Sequence, residues 1–243
     1  MQLTSSTAKR GRPHSLLRTL ARIWLTFRYQ IVDRRHGRLV LESVHGMPLI
    51  VLPGVFNPVL FRTGNFMAEV LTGLELPPGT RVLDMGTGSG IGAIFAARQG
   101  ALVTAVDINP EAVRNAQINA LLNDMAQQIT AVEGDLFSPL SGGRFDLVLF
   151  NPPFYRGRPR NEPGYAWRGE DVFERFASEL ASSLLPGGRC LIVLSTDGDG
   201  DQLLALLEQA SFDVRTVSSK NLINEILTVY EVKQGSRELE ASS

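Results

Sequence analysis

From Arg81 to Val232 the chain repeats one rhythm: a short apolar run, a turn, then a stretch with apolar residues at helical spacing. RVLDMG, ALVTAVD, ITAVEGD, FDLVLFN and RCLIVLS have strand length, and FDVRTVS and EILTVYEV follow as a final strand pair. Between them IGAIFAARQG, PEAVRNAQINALL, DVFERFASELASSLL and QLLALLEQA place apolar residues three and four apart. This alternation predicts an α/β fold, a largely parallel sheet with helices on both faces. Ligands in such sheets bind beyond the carboxyl ends of the strands, so the residues just after each strand carry the functional information.

Upstream, residues 38–52, RLVLESVHGMPLIVL, read as two short strands turning at His45-Gly46. Phe66, Val70 and Leu71 mark a helix before Pro77-Pro78-Gly79. The expected organisation is a basic arm or helix at 1–37, a β-hairpin and covering segment at 38–78, a catalytic domain at 79–232 and a flexible polar tail at 233–243. Asn109 is the expected cap of a helix whose first residue is Pro110.

Composition excludes several classes. No apolar run reaches the roughly 20 residues of a transmembrane helix, so no membrane partner is expected. Cys190 is the one cysteine, which rules out an internal disulfide and suits a reducing, cytoplasmic location. Its place in RCLIVLS marks it as a buried structural thiol. His14, His36 and His45 all lie in the N-terminal part, without Cys/His ligand spacing, so no metal is expected. Residues 1–38 carry nine Lys and Arg against Asp33, a net of +8, and the total of −1 leaves about −9 for the remainder. The arm suits an anionic partner, a helix packed through Leu16, Leu20, Ile23, Trp24 and Phe27, or an organellar address.

After the first strand of the alternating region stands Asp84-Met85-Gly86-Thr87-Gly88-Ser89-Gly90. Glycines here allow a tight turn and close approach of a ligand to a helix N-terminus. A dinucleotide fingerprint needs a third glycine at position 91, where Ile91 stands, so a nicotinamide dehydrogenase is disfavoured. D-x-G-x-G-x-G resembles the first motif of class I S-adenosylmethionine-dependent methyltransferases. After the second strand comes Asp107, 23 residues beyond Asp84, able to accept both hydroxyls of a ribose or to cap the next helix.

The resemblance implies a Rossmann-like seven-stranded sheet, mostly parallel with the last strand antiparallel, and S-adenosylmethionine as cofactor. Gly86, Thr87, Gly88 and Gly90 would cradle its methionine end. Asp84 would brace the turn or reach the cofactor amino group through water. Asp107 and Ile108 would face the ribose, Asp135 the adenine amine, and Leu136 the ring. VFNPVLFRTGNFMAEVL resembles a family stretch that closes over the cofactor; Phe56, Pro58 and Thr63 match it, and Arg62 stands where an acid is common.

After the fourth strand stands Asn151-Pro152-Pro153-Phe154. An amide or exocyclic amine is a poor nucleophile because its lone pair is delocalised. The Asn151 amide oxygen and the Pro152 carbonyl can each accept one N–H, orienting the nitrogen. Prolines fix φ and hold those acceptors rigid, and Phe154 can stack on a planar group. The arrangement resembles amino-methyltransferases acting on glutamine amides or base amines. AWRGEDVFERF resembles the segment that follows this motif in HemK-type protein-glutamine methyltransferases, through Gly169, Asp171, Arg175 and Phe176. Expected partners are therefore a translation-factor-like protein, or an RNA that the basic arm would grip. A non-catalytic cofactor-binding module is the remaining alternative, and the intact Asn151–Phe154 stretch argues against it.

Overall fold

The computed structural model describes residues 38–153, 155–156, 168–169, 171–223 and 225–235. The arm at 1–37, Phe154 and the tail beyond Gly235 lie outside the described residues.

A seven-stranded sheet forms the body, in the order β10-β11-β9-β6-β3-β4-β5. Its strands are β3 (Arg81–Met85), β4 (Leu102–Asp107), β5 (Ile129–Glu133), β6 (Phe145–Phe150), β9 (Leu184–Ser195), β10 (Phe212–Asn221) and β11 (Ile226–Gln234). The strands from β5 to β9 in that order pair in parallel, while β11 runs antiparallel to both β9 and β10. A two-residue parallel pair, β7 (Tyr155–Arg156) with β8 (Arg168–Gly169), was not foreseen. Met85 lies opposite both Val106 and Phe150, so the residues after β3, β4 and β6 emerge along one edge.

The apolar runs are continuous because both sheet faces are covered. Val82, Leu149 and Val193 face a core completed by Phe66 and Leu71 of α1 (Thr63–Thr72) and by Ile94 and Phe95 of α2 (Ile91–Ala97). Their neighbours Leu83, Val148, Phe150 and Ile192 face the opposite core. There they meet Phe176 and Leu180 of α4 (Val172–Ser183) and Leu203 and Leu207 of α5 (Gly200–Gln209). Phe150 stacks on Phe176 with centroids 4.0 Å apart, anchoring the last residue of β6.

Three boundaries differ from the expectation. Helix α4 ends at Ser183, and Pro186-Gly187-Gly188 lies inside β9 as a register shift against β6 rather than as a helix stop. A Cβ at position 188 would stand 2.8 Å from both Phe145 O and Leu185 O, so only glycine keeps the strand on its neighbour. Helix α2 stops at Ala97, three residues before Gly100, and β11 continues to Gln234, two residues past the expected domain edge.

The hairpin of β1 (Val40–Val44) and β2 (Met47–Val51) turns at His45 and Gly46 with φ of 46° and 82°, the left-handed pair of a type I′ turn. Among the described residues it joins no other strand. The outer edge of β2 lies against α3 (Pro110–Leu122), where asparagines take the place of a third strand. Asn119 accepts from Ile50 N at 2.7 Å and donates to Ile50 O at 2.7 Å. Asn115 accepts from Leu52 N at 2.8 Å and also donates to Ile50 O, and Asn123, the C-cap residue, donates to Pro48 O at 3.0 Å. Pro48, which lacks an N–H, occupies an outward-facing position on this edge.

Candidate active site

Asp84 ends inside the protein, 7% exposed. One of its oxygens accepts from Thr87 Oγ1 at 2.6 Å and from Ala93 N at 2.9 Å, in the first turn of α2. Gly92 passes so close that a Cβ there would stand 2.5 Å from the other carboxylate oxygen. Asp84 thus supplies the N-terminal acceptor that Gly90, the cap residue, cannot provide. Of the two roles the sequence allowed it, the geometry favours bracing the turn.

Burial pushes the Asp84 carboxyl up to about 7, against the two hydrogen bonds that hold it down, with Asp107 adding a further upward push. The folded form therefore keeps its proton where the unfolded chain has lost it. The stabilisation is complete below the ordinary value of 3.8 and is lost as pH rises through about 7. Asp84→Asn, which cannot ionise, is expected to lose its stability deficit relative to wild type as pH rises from 5 to 8. Thermal unfolding at both pH values checks this; an unchanged deficit would contradict it.

The glycines of the turn divide by task. Gly86 and Gly88 have φ of 66° and 54° and open space where a Cβ would point, apart from Phe56 Cβ at 3.8 Å from the position on Gly88. Gly90 faces the other way: a Cβ would stand 2.9 Å from Ala116 Cα on α3. The missing side chain of Gly90 thus serves the packing of the turn on α3. Thr87 and Thr63 are likewise turned inward, their hydroxyls donating to Asp84 and to Phe61 O.

Asp107 is half-buried beneath the turn. Its two oxygens accept from Gly88 N at 2.8 Å and Asn109 N at 2.9 Å, and its enclosure pushes its carboxyl up from the ordinary range against these bonds. The helix cap is Asn109 itself, which accepts from Glu111 N at 3.0 Å. That leaves Asp107 locked in place with lone pairs toward the open side, and Ile108 beside it is 51% exposed. Across the edge, Asp135 is gripped by Arg175 at 2.8 Å. The sequence singled out both residues without linking them. Leu136 turns through left-handed backbone (φ 49°) and packs into the α4 side of the core. The exposed apolar surface at this edge is therefore Ile108, not Leu136.

Asn151, half-buried, and the buried Pro152 follow directly on Phe150. Pro152, Pro153, Phe173, Ser195 and Gly198 line a narrow crevice beside them. Ser195 donates to Glu225 at 2.6 Å, and Arg62 approaches the same carboxylate at 3.6 Å. Neither Glu225 nor Ser195 carried a sequence signal. Cys190 is wholly buried, which pushes its thiol well above the ordinary value and removes it from chemistry. His45 packs edge-on against Phe95, away from this edge. Among the described residues no cluster of His, Cys, Asp or Glu is arranged to hold a metal ion, and no helix is long and apolar enough to cross a membrane.

Gly86, Gly88, Asp107 and Asn151 thus converge from three adjacent strands on one open edge. Known proteins with similar sequences and structures are methyltransferases. A ribosomal RNA small subunit methyltransferase C of Alcanivorax borkumensis is 32% identical over 159 residues, 65% of this chain but 45% of the relative. A Methanocaldococcus jannaschii protein, named provisionally as a protein N5-glutamine methyltransferase, is 34% identical over 72% of this chain and 89% of its own length. Among solved structures, a T. thermophilus 16S rRNA N2 G1207 methyltransferase in complex with AdoMet and guanosine superposes with a TM-score of 0.62 at 26% identity. That match covers 81% of this chain and 50% of the other. The family model described as Methyltransferase small domain matches residues 46–223, the hairpin through the tip of β10–β11. With the glycine turn and the Asn-Pro-Pro edge both inside that match, the chain belongs to the methyltransferase small domain family.

Proposed function

We propose that the protein is an S-adenosylmethionine-dependent N-methyltransferase whose acceptor is the side-chain amide of a protein glutamine. The observation that carries the reading is the placement of Asn151 and Pro152 at the end of β6, next to the open Gly86–Gly88 turn. The residues present fit the cofactor: space where two Cβ atoms are missing, a fixed carboxylate at Asp107, and exposed Ile108 beside it. When bound, S-adenosylmethionine supplies an activated methyl group on a sulfonium. The chain's own residues bind and orient. Asn151 Oδ1 and the Pro152 carbonyl accept the two N–H bonds of the planar nitrogen and point its lone pair across the edge, a contribution of proximity and alignment. The rigid prolines, and Phe150 stacked on Phe176, keep both acceptors in place before the acceptor arrives.

The glutamine acceptor is supported by Gly169, Asp171, Arg175 and Phe176 and by the relative of matching length. A nucleobase amine is the second reading, supported by the +8 charge of residues 1–38 and by the rRNA enzymes among the relatives. Incubating the full chain with tritiated S-adenosylmethionine and cell extract, followed by separate RNase and protease digestion, discriminates them. Protease-sensitive, RNase-resistant label is the expected result. Label that survives protease and is released by RNase overturns the glutamine reading.

A further inference from the structure

Arg62 occupies a position where an acid is common in the related stretch, and the structure places a carboxylate, Glu225, beside it. The segment from Val55 to Arg62 crosses the glycine turn, with Phe56 against Gly88 and stacked on Phe61 at 4.1 Å. Its near end is fixed by Asn57, 3% exposed, which donates to Glu42 at 2.9 Å and accepts from Val59 N at 2.9 Å. Its far end is held by Arg62, whose Nη1 lies 3.6 Å from Glu225 Oε1, with side chains 26% and 15% exposed.

Glu225 reaches in a second direction. Its Oε2 accepts from Ser195 Oγ at 2.6 Å, and Ser195 lines the crevice with Pro152 and Pro153. The tip of the β10–β11 hairpin that presents Glu225 is itself tied down: Leu222 N donates to Glu225 O at 2.8 Å, and Ile226 N to Thr196 Oγ1 at 3.0 Å. One carboxylate therefore joins the segment over the glycine turn to the wall beside Asn151. An acid at position 62 would face Glu225 with like charge; arginine converts that repulsion into a tie.

We infer that Arg62 and Glu225 are positioning residues, which hold the covering segment closed over the methyl donor and couple its retention to the shape of the acceptor crevice. The inference rests on the reading of the cleft as a methyl-donor site. A second ion pair, Lys220–Glu69, joins α1 to the same hairpin with both side chains half-exposed and supplies an internal control.

The test is calorimetric titration of S-adenosylhomocysteine into the full-length chain and four variants. Glu225→Gln, which keeps an acceptor for Ser195, and Arg62→Asp should each weaken binding roughly tenfold, between the loss for an exposed ion pair and that for a fully buried one. The exchange R62D/E225R, in which the new guanidinium can also donate to Ser195, should return binding to within about threefold of wild type. Glu69→Gln should leave binding unchanged. A generally structural role would lower unfolding temperature without rescue by the exchanged pair. Wild-type affinity in both single variants, or an exchange variant no better than R62D, overturns the inference. Absence of binding to the wild-type chain overturns the donor-site reading itself, and the inference with it.

Discussion

Asn151→Ala is expected to lower methyl transfer by about 100-fold or more, the scale of losing an acceptor that acts through preorganised orientation at the reacting nitrogen. The affinity for S-adenosylhomocysteine, measured by calorimetry, should stay within about threefold of wild type. This split follows from the geometry. The groups proposed to face the donor, Gly86, Gly88 and Asp107, stand at the ends of β3 and β4, whereas Asn151 follows β6 and precedes Pro152 of the Pro152–Ser195 crevice. Equal turnover by the variant would remove Asn151 from the reaction. A matching loss of cofactor affinity would make it a donor ligand instead.

The largest expected loss of stability falls behind the glycine turn, on α3. Asn119 is fully buried and makes three bonds: it accepts from Ile50 N, and donates to Ile50 O and to Ser89 O at 2.8 Å. Asn119→Ala removes partners from the hairpin and from the glycine turn at once. At about 1–3 kcal/mol for each buried polar group left without a partner, partly relieved by Asn115 at Ile50 O, the cost is about 4 kcal/mol. For a chain of this size that corresponds to a fall in Tm of roughly 10 °C, readable by circular dichroism. Asn119→Asp is a sharper variant, because it keeps the acceptor for Ile50 N but places a charge against Ile50 O and Ser89 O. A Tm within a degree or two of wild type in the alanine variant would show that water replaces the amide at no cost.

What the sequence reveals, and what it hides, divides along a physical line. The central strands β3, β6 and β9 were legible because they are buried on both faces, and the edge residues Gly86, Asp107 and Asn151 because they follow strands directly. Asn109-Pro110 was legible because a cap is a local interaction. Features that depend on a partner distant in sequence were not. Nothing local says that Gly90 also has to make room for Ala116 of α3. Nothing local says that Leu136 turns through left-handed backbone into the α4 side of the core. Asp135 and Arg175 both stand in motifs, yet nothing in either motif says that they meet across 40 residues. Pro186-Gly187-Gly188 is a helix stop by every local rule, and only the neighbouring carbonyl of Phe145 turns it into a bulge. Asn115, Asn119 and Asn123 recur every four residues on one helix face, a signal that was present and that reads as solvated surface without knowledge of β2.

The amides along α3 also bear on how this part of the molecule can vary. A two-stranded hairpin is marginal alone and leaves two ladders of backbone groups to satisfy. Here one ladder is closed by side chains that belong to the catalytic domain and not to any neighbouring strand. Substitutions that keep three amides at that spacing, and apolar side chains at Val44, Leu49 and Val51, keep the hairpin, while the other positions of its strands are free. Conversely, another hairpin of equal length that keeps those three apolar positions needs no redesign of the sheet's strands, since its backbone attachment is written in α3. The hairpin is in this sense a part with a standard fitting, free to diverge on its exposed face while the edge of Gly86, Asp107 and Asn151 stays fixed.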